Sequence, residues 1–253
     1  MTPLEKLLSL YGESSKHSNY QVLSTRLDKI LGEGAVDVKS RYELERLEFI
    51  RKHVNLGGKT VLDIGGNTGF FTFEVLDAGA RSVHYFEGNP EHADFVRTAA
   101  MVLGCADQVE VTNAYYGFKE NNDRVYDVAL LLNVLHHLGD DFGDRKASVE
   151  DAKLDMVECL HHMATVTDCL IFQLGFCWKG DRNSLMFPRG TKGELVDFVT
   201  QATKGLWLID KIGVPTKIGE REVSYEPMSE RNSSRDDGMG EFLNRPLFIL
   251  RRA

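Results

Sequence analysis

A chain of 253 residues with 42% hydrophobic and 27% charged side chains has the composition of an ordinary globular protein, long enough for one large α/β domain or two small ones. Its formal charge of −8 at pH 7 argues against a polyanionic partner, which calls for clustered Lys and Arg, and no apolar run approaches the roughly 20 residues that cross a bilayer. Residues 1–10 are too short and too charged for a secretory signal, so a cytoplasmic protein with no membrane partner is expected.

Residues 1–55 read as helical. Leu4, Leu7, Leu8 and Tyr11 recur at helical spacing, as do Leu44, Leu47 and Ile50 in the charged stretch 41–53, with the polar run 12–20 irregular between them. From Lys59 short apolar runs alternate with helical patterns: KTVLDI, FFTFEVLDAG, SVHYFE, EHADFVRTAAMVLG and QVEVTNA. This rhythm predicts βαβ units and a parallel sheet, wound by right-handed crossovers into a doubly wound α/β fold. Further strands are predicted at 126–132, 169–174, 207–212 and 246–250, with helices at 149–164 and 192–203. The polar stretch 213–245 is expected to be irregular, either a loop over a substrate or a loose hairpin. Cys105, Cys159, Cys169 and Cys177 form no CxxC pair and no zinc-ligand spacing, and read as reduced structural thiols.

Residues 61–69 read VLDIGGNTG, a buried strand ending near Asp63 and a glycine-rich turn opening a helix. Glycine lets ligand atoms approach the backbone, and the helix N-terminus offers unsatisfied N–H groups. Glu87, in HYFEGNP at the end of the next strand, can accept hydrogen bonds from both hydroxyls of a ribose. A dinucleotide would want GxGxxG and a helix dipole aimed at pyrophosphate. A carboxylate beside the first glycine repels pyrophosphate and suits the ammonium of a methionine moiety, which favours S-adenosylmethionine over NAD.

VLDIGGNTG, HYFEGNP and YDVALLLNVLHHL together resemble the motifs of class I S-adenosylmethionine-dependent methyltransferases, the first of them the hhDhGxGxG motif with Asn67 in place of its middle glycine. The resemblance covers residues 59–174. It implies a Rossmann-like, mostly parallel seven-stranded sheet, with a methyltransferase domain at 56–253 that carries an insertion at 213–245. Residues 1–55 would then be an N-terminal helical extension or lid, to which His17 and Tyr20 contribute. Asp63, Gly65, Gly66, Asn67 and Gly69 would hold the methionine end and Glu87 the ribose. Asn133 would lie near the methionine or the methyl group, and Asn113, at the third strand end, near adenine.

Methyl transfer to a hydroxyl needs alignment and loss of a proton. His136 and His137, just past the fourth strand in NVLHHLGDD, are the candidate catalytic bases, with Asp140 or Asp141 to orient an imidazole. A metal bound by these four is conceivable but is not expected. His161 and His162 lie mid-helix and read as packed or solvated. Gln173, Trp178, Lys179, Asp181 and Arg182, following the fifth strand, suit a polar acceptor. The expectation is an O-methyltransferase for a small, sugar-like or secondary-metabolite acceptor; a tRNA methyltransferase and a non-catalytic cofactor-binding partner subunit stay open. Acceptor identity and oligomeric state are not written in the sequence.

Overall fold

The computed structural model describes residues 2–12, 20–32, 36, 38, 40–120, 124–219 and 222–253. His17 and most of the expected irregular run 12–20 lie outside them. By its contacts the chain divides into two units, Met1–Leu47 with Val54–Tyr116, and Glu48–His53 with Gly117–Ala253. Residues 1–55, expected as an extension of their own, are shared between these units, and the main boundary falls near Tyr116.

The first unit holds α1 (Pro3–Gly12), α2 (Thr25–Leu31), the start of α3 (Glu43–His53), β1 (Thr60–Ile64), α4 (Phe70–Asp77), β2 (Ser82–Phe86), α5 (Pro90–Val102) and β3 (Val109–Thr112). β2 pairs in parallel with β1 on one side and β3 on the other, with Asp63 opposite Tyr85 and Phe86 opposite Thr112. Val61, Leu62, Asp63 and Ile64 are all buried, the pattern of a parallel strand covered on both faces. The leading helices share this core. Leu7, Tyr11, Leu23 and Leu27 cluster with Phe95, Val96 and Ala99 of α5. The Thr25 N–H donates to Glu74 Oε1 at 2.7 Å, and Arg26 reaches Asp77 and the Leu103 carbonyl.

The second unit holds the end of α3, then β4 (Tyr126–Leu132), α6 (Val149–Val166), β5 (Thr167–Gln173), α7 (Lys192–Thr203), β6 (Trp207–Lys217), β7 (Val223–Pro227) and β8 (Leu247–Arg252). Its strand order is β4-β5-β8-β6-β7. β4 and β5 are parallel, and the remaining pairs are antiparallel. Capping boxes start both long helices, Ser148 with Asp151 for α6 and Thr191 with Glu194 for α7, each satisfying orphan N–H groups of a first turn.

Among the described residues there are therefore eight strands rather than seven. The extra one, β7, lies in the stretch expected to be a substrate-covering loop or a loose hairpin, and it forms a hairpin: β6 runs five residues past its expected end to pair with it. Val214 and Tyr225 give this hairpin buried anchors. Lys192 ties down the segment after β7: its side chain is buried, and Nζ donates to the carbonyls of Asn232 and Ser234 at 2.9 Å each. Burial lowers the pKa of that ammonium, with Asp236 opposing the shift.

All four cysteines are buried and free. Burial pushes the Cys159 thiol up to about 12 and that of Cys169 up to about 11, so neither offers a thiolate near neutrality.

Candidate functional site

In the first unit β1 leads into the turn Gly65, Gly66, Asn67, Thr68, Gly69. The N–H groups of Gly65 and Gly66 donate to the Phe86 carbonyl at 2.8 and 3.3 Å. A Cβ on Gly66 would stand 2.5 Å from the Tyr85 ring, and one on Gly69, left-handed at φ 77°, would stand 2.8 Å from Val96 Cγ2. Asn67, in the place of the motif's middle glycine, is also left-handed, at φ 52°. Asn tolerates that region better than most side chains, and its Oδ1 accepts the Thr68 N–H at 2.8 Å. The departure from glycine therefore suits the left-handed backbone at this position.

Asp63 is 3% exposed and lies under the turn, where its Oδ2 accepts the Thr72 hydroxyl at 2.6 Å. Burial pushes this carboxyl up to about 6; the Thr72 hydrogen bond works against the rise and the Glu87 charge adds to it. The Glu87 carboxylate is fixed by two backbone donors, Asn67 N–H on Oε2 and Asn89 N–H on Oε1, both at 2.9 Å. These use two of the roughly four acceptor sites of a carboxylate. Asn89 in turn caps α5, accepting from Glu91 and His92 N–H, with Pro90 at the first helical position. Asn113 is exposed and donates to the Glu87 carbonyl at 2.9 Å.

One member of this group in the first unit is invisible to sequence reasoning. Gln21 Oε1 accepts the Phe70 N–H at 2.9 Å and the Thr68 hydroxyl at 3.3 Å, capping α4, whose own N-cap residue is Gly69. A polar residue between two short helices carries no motif, and only tertiary packing brings it to the turn.

In the second unit Asn133 follows β4 with a left-handed φ of 61°. Its amide donates to Gln173 Oε1 at 2.9 Å and accepts from Arg245 at 2.8 Å. Arg245 also bonds Glu241 through Nε and Nη2, at 2.6 Å for the latter, and Glu241 Oε1 accepts the Phe176 N–H at 3.0 Å. Burial would raise the Glu241 pKa, yet the Arg245 guanidinium holds it below its usual value. Gln173 is fully buried and donates to the Tyr225 hydroxyl and the Arg245 carbonyl. It is bonded within the second unit, at the ends of β4 and β5, where the sequence suggested a contact to a polar acceptor. Glu241 and Arg245 lie in or at the end of the polar stretch, where no sequence signal marks them.

The two histidines sit in a single helical turn, residues 135–137, with ring centroids 4.3 Å apart, but their surroundings differ. His136 is 3% exposed, and its Nδ1 accepts the Gly175 N–H at 3.3 Å, so a neutral ring carries its proton on Nε2. His137 is half-buried, with Nδ1 3.4 Å from Asp141 Oδ2. The ligand atoms of His137, Asp140 and Asp141 lie within 4.8 Å of one another; His136, also weighed as a ligand, is turned to Gly175. Trp178 Nε1 donates to the Leu138 carbonyl at 2.7 Å, closing the loop, and Lys179 Nζ lies 4.1 Å from the Trp178 ring centre. Asp181 shapes its own turn through Asn183 and Ser184, which with its backbone bond holds its pKa low. Away from this loop, His161 bonds the Ala202 carbonyl and His162 meets the edge of Phe118; burial lowers the pKa of His162.

No protein-family model matches the chain, and no curated protein matches it in sequence. Solved structures do match in fold. A candidate RNA methyltransferase, PH1948 from Pyrococcus horikoshii, is similar over 100% of this chain and 98% of its own, with 13% identity and a TM-score of 0.51. The bifunctional kinase-methyltransferase WbdD is similar over 97% of this chain and 46% of its own, with 17% identity and a TM-score of 0.58. The mitomycin 7-O-methyltransferase MmcR is similar over 84% and 54%, with 18% identity and a TM-score of 0.50. The chain thus spans about half the length of the last two. Its fold is the Rossmann-like fold of class I methyltransferases. Among the described residues no helix is long and apolar enough to cross a membrane.

Proposed function

We propose that the chain is an S-adenosylmethionine-dependent methyltransferase that acts on a hydroxyl of a small, polar, sugar-like acceptor. The observation that carries this reading is the pair of carboxyl groups at the glycine turn. Asp63 is buried with a pKa raised to about 6, an environment that an arriving ammonium relieves. Glu87 is held by two backbone N–H groups, an orientation suited to accepting from a ribose diol.

The bound sulfonium would supply an electrophilic methyl group. The chain's own residues then have separable tasks. Asp63 and the turn bind the amino-acid tail, and Glu87 binds the ribose. His137 takes the acceptor's proton at Nε2 while Asp141 faces its Nδ1 and stabilises the imidazolium. His136, whose Nδ1 already accepts from Gly175, orients the turn and keeps its Nε2 proton. The two histidines, equivalent in sequence, are thereby assigned different roles.

Calorimetric titration with S-adenosylhomocysteine, on the native chain and on Glu87→Gln, tests the cofactor assignment. Binding to the native chain that weakens at least tenfold in the variant supports it, and no binding to the native chain refutes it. RNA is the competing acceptor, favoured by the near full-length likeness to PH1948 and disfavoured by the net charge of −8. Methyl transfer into total RNA but not into a panel of hydroxylated small molecules would decide for RNA.

A further inference from the structure

We propose that Gln21 binds the carboxylate of the cofactor's amino-acid tail, a proposal that rests on the S-adenosylmethionine reading. Gly69, at the start of α4, offers no side chain to the first N–H groups of this helix, and such groups need an acceptor. Gln21 supplies it, with Oε1 taking the Phe70 N–H at 2.9 Å and the Thr68 hydroxyl at 3.3 Å.

A main-chain N–H can only donate, so the Gln21 amide cannot flip without setting its own NH₂ against that donor. The orientation of the amide is therefore fixed: oxygen on the turn, and both N–H donors of Nε2 beside it. The backbone fixes it again. The Tyr11 hydroxyl donates to the Gln21 carbonyl at 2.8 Å, the Tyr11 ring packs 5.8 Å from that of Phe95, and four residues on the Thr25 N–H is anchored to Glu74 at 2.7 Å. Gln21 is held from both sides before any ligand arrives, so little ordering remains to be done on binding.

Two donors held beside a turn that follows Asp63 on β1 and bonds Glu87 through the Asn67 N–H suit a ligand with separated charges. Asp63 and Glu87 favour the ammonium and the ribose, and both repel the carboxylate of the same tail. Gln21 offers that carboxylate donors without adding a charge, so the ammonium is not repelled in turn. The N-terminal segment thus acts as a ligand-binding part of the first unit and not only as packing on α5.

The test separates the donor role from the capping role. Gln21→Glu keeps an oxygen for the Phe70 N–H and the Thr68 hydroxyl but replaces the donors with a charged acceptor. Two probes are titrated: S-adenosylhomocysteine, which has the amino-acid tail, and 5′-methylthioadenosine, which lacks it. A charge-assisted hydrogen bond lost and a repulsion gained predict a loss of about 10- to 100-fold for S-adenosylhomocysteine. The methylthioadenosine affinity stays within about twofold, which also reports an intact fold and ribose site. Equal weakening of both probes would show that the substitution disturbs the turn as a whole and not a contact to the tail, and unchanged S-adenosylhomocysteine binding would remove Gln21 from the site; either overturns the proposal. Failure of the native chain to bind S-adenosylhomocysteine would instead overturn the reading on which it rests.

Discussion

Asp63→Asn is expected to make the ligand-free protein more stable while weakening its affinity for the cofactor. In the folded chain this carboxyl has a pKa of about 6, against 3.8 for an ordinary aspartate. Between those values the folded state holds the proton more tightly than the unfolded state, so stability falls as pH rises from about 4 to about 6 and then levels off. At 1.36 kcal/mol per pKa unit the ionised carboxylate costs about 3 kcal/mol above pH 6. Asn resembles the protonated acid and still accepts the Thr72 hydroxyl. The variant should therefore gain about 3 kcal/mol at pH 8 and almost nothing at pH 4, measured as the difference in urea unfolding between variant and native chain. In thermal melts at pH 8 this corresponds to roughly 6–12 °C for a chain of this size. Binding should change in the opposite sense. S-adenosylhomocysteine affinity of the native chain should fall below pH 6 as Asp63 protonates, and the variant should be weak at every pH. A variant that is less stable at pH 8, or equally more stable at pH 4 and pH 8, would refute the account of Asp63 as an unrelieved buried charge.

Glu87→Gln puts an NH₂ against the N–H of Asn67 or Asn89, and should cost about 1–3 kcal/mol of stability in addition to its loss of cofactor affinity. His137→Ala should lower kcat about 10²- to 10⁴-fold and flatten the pH–rate profile near neutrality. His136→Ala should act on unfolding free energy, by roughly 2–4 kcal/mol, because it leaves a cavity and strands the Gly175 N–H; equal loss of turnover in the two variants, with stability unchanged, would refute their separation. Arg245→Ala leaves Glu241 mostly buried without its cation and should destabilise the chain by about 3–5 kcal/mol, with Glu241→Gln,Arg245→Met partly restoring it in chemical denaturation.

The alternation of short apolar runs and helical patterns locates β1 to β5 and their helices within a residue or two, because all of these strands but β3 are mostly buried on both faces and each helix needs one apolar stripe. The turn and Glu87 are legible for a related reason: glycine and an acid at strand ends are local signals, and Asn67 fits the pattern once its left-handed φ is known. The polar stretch 213–245, which left a loop and a hairpin open, is the least legible. Its strand β7 buries little besides Tyr225, so almost no apolar alternation marks it, and its anchors are a buried lysine, Lys192, and an ion pair, Glu241 with Arg245. Nor does sequence divide the work of His136 and His137, since adjacent identical residues differ only in what the fold sets beside each ring. Gln21 is out of reach for the same reason.

The placement of β8 bears on how the second unit comes into being. Last among the strands in chain order, it pairs with β5 on one side and β6 on the other. During synthesis β5 and β6 must therefore wait for it, each with an unpaired edge, and unpaired edges invite association with other chains. A nascent chain stalled before Leu247 would present both edges together, which makes this interval the one in which a chaperone would matter most.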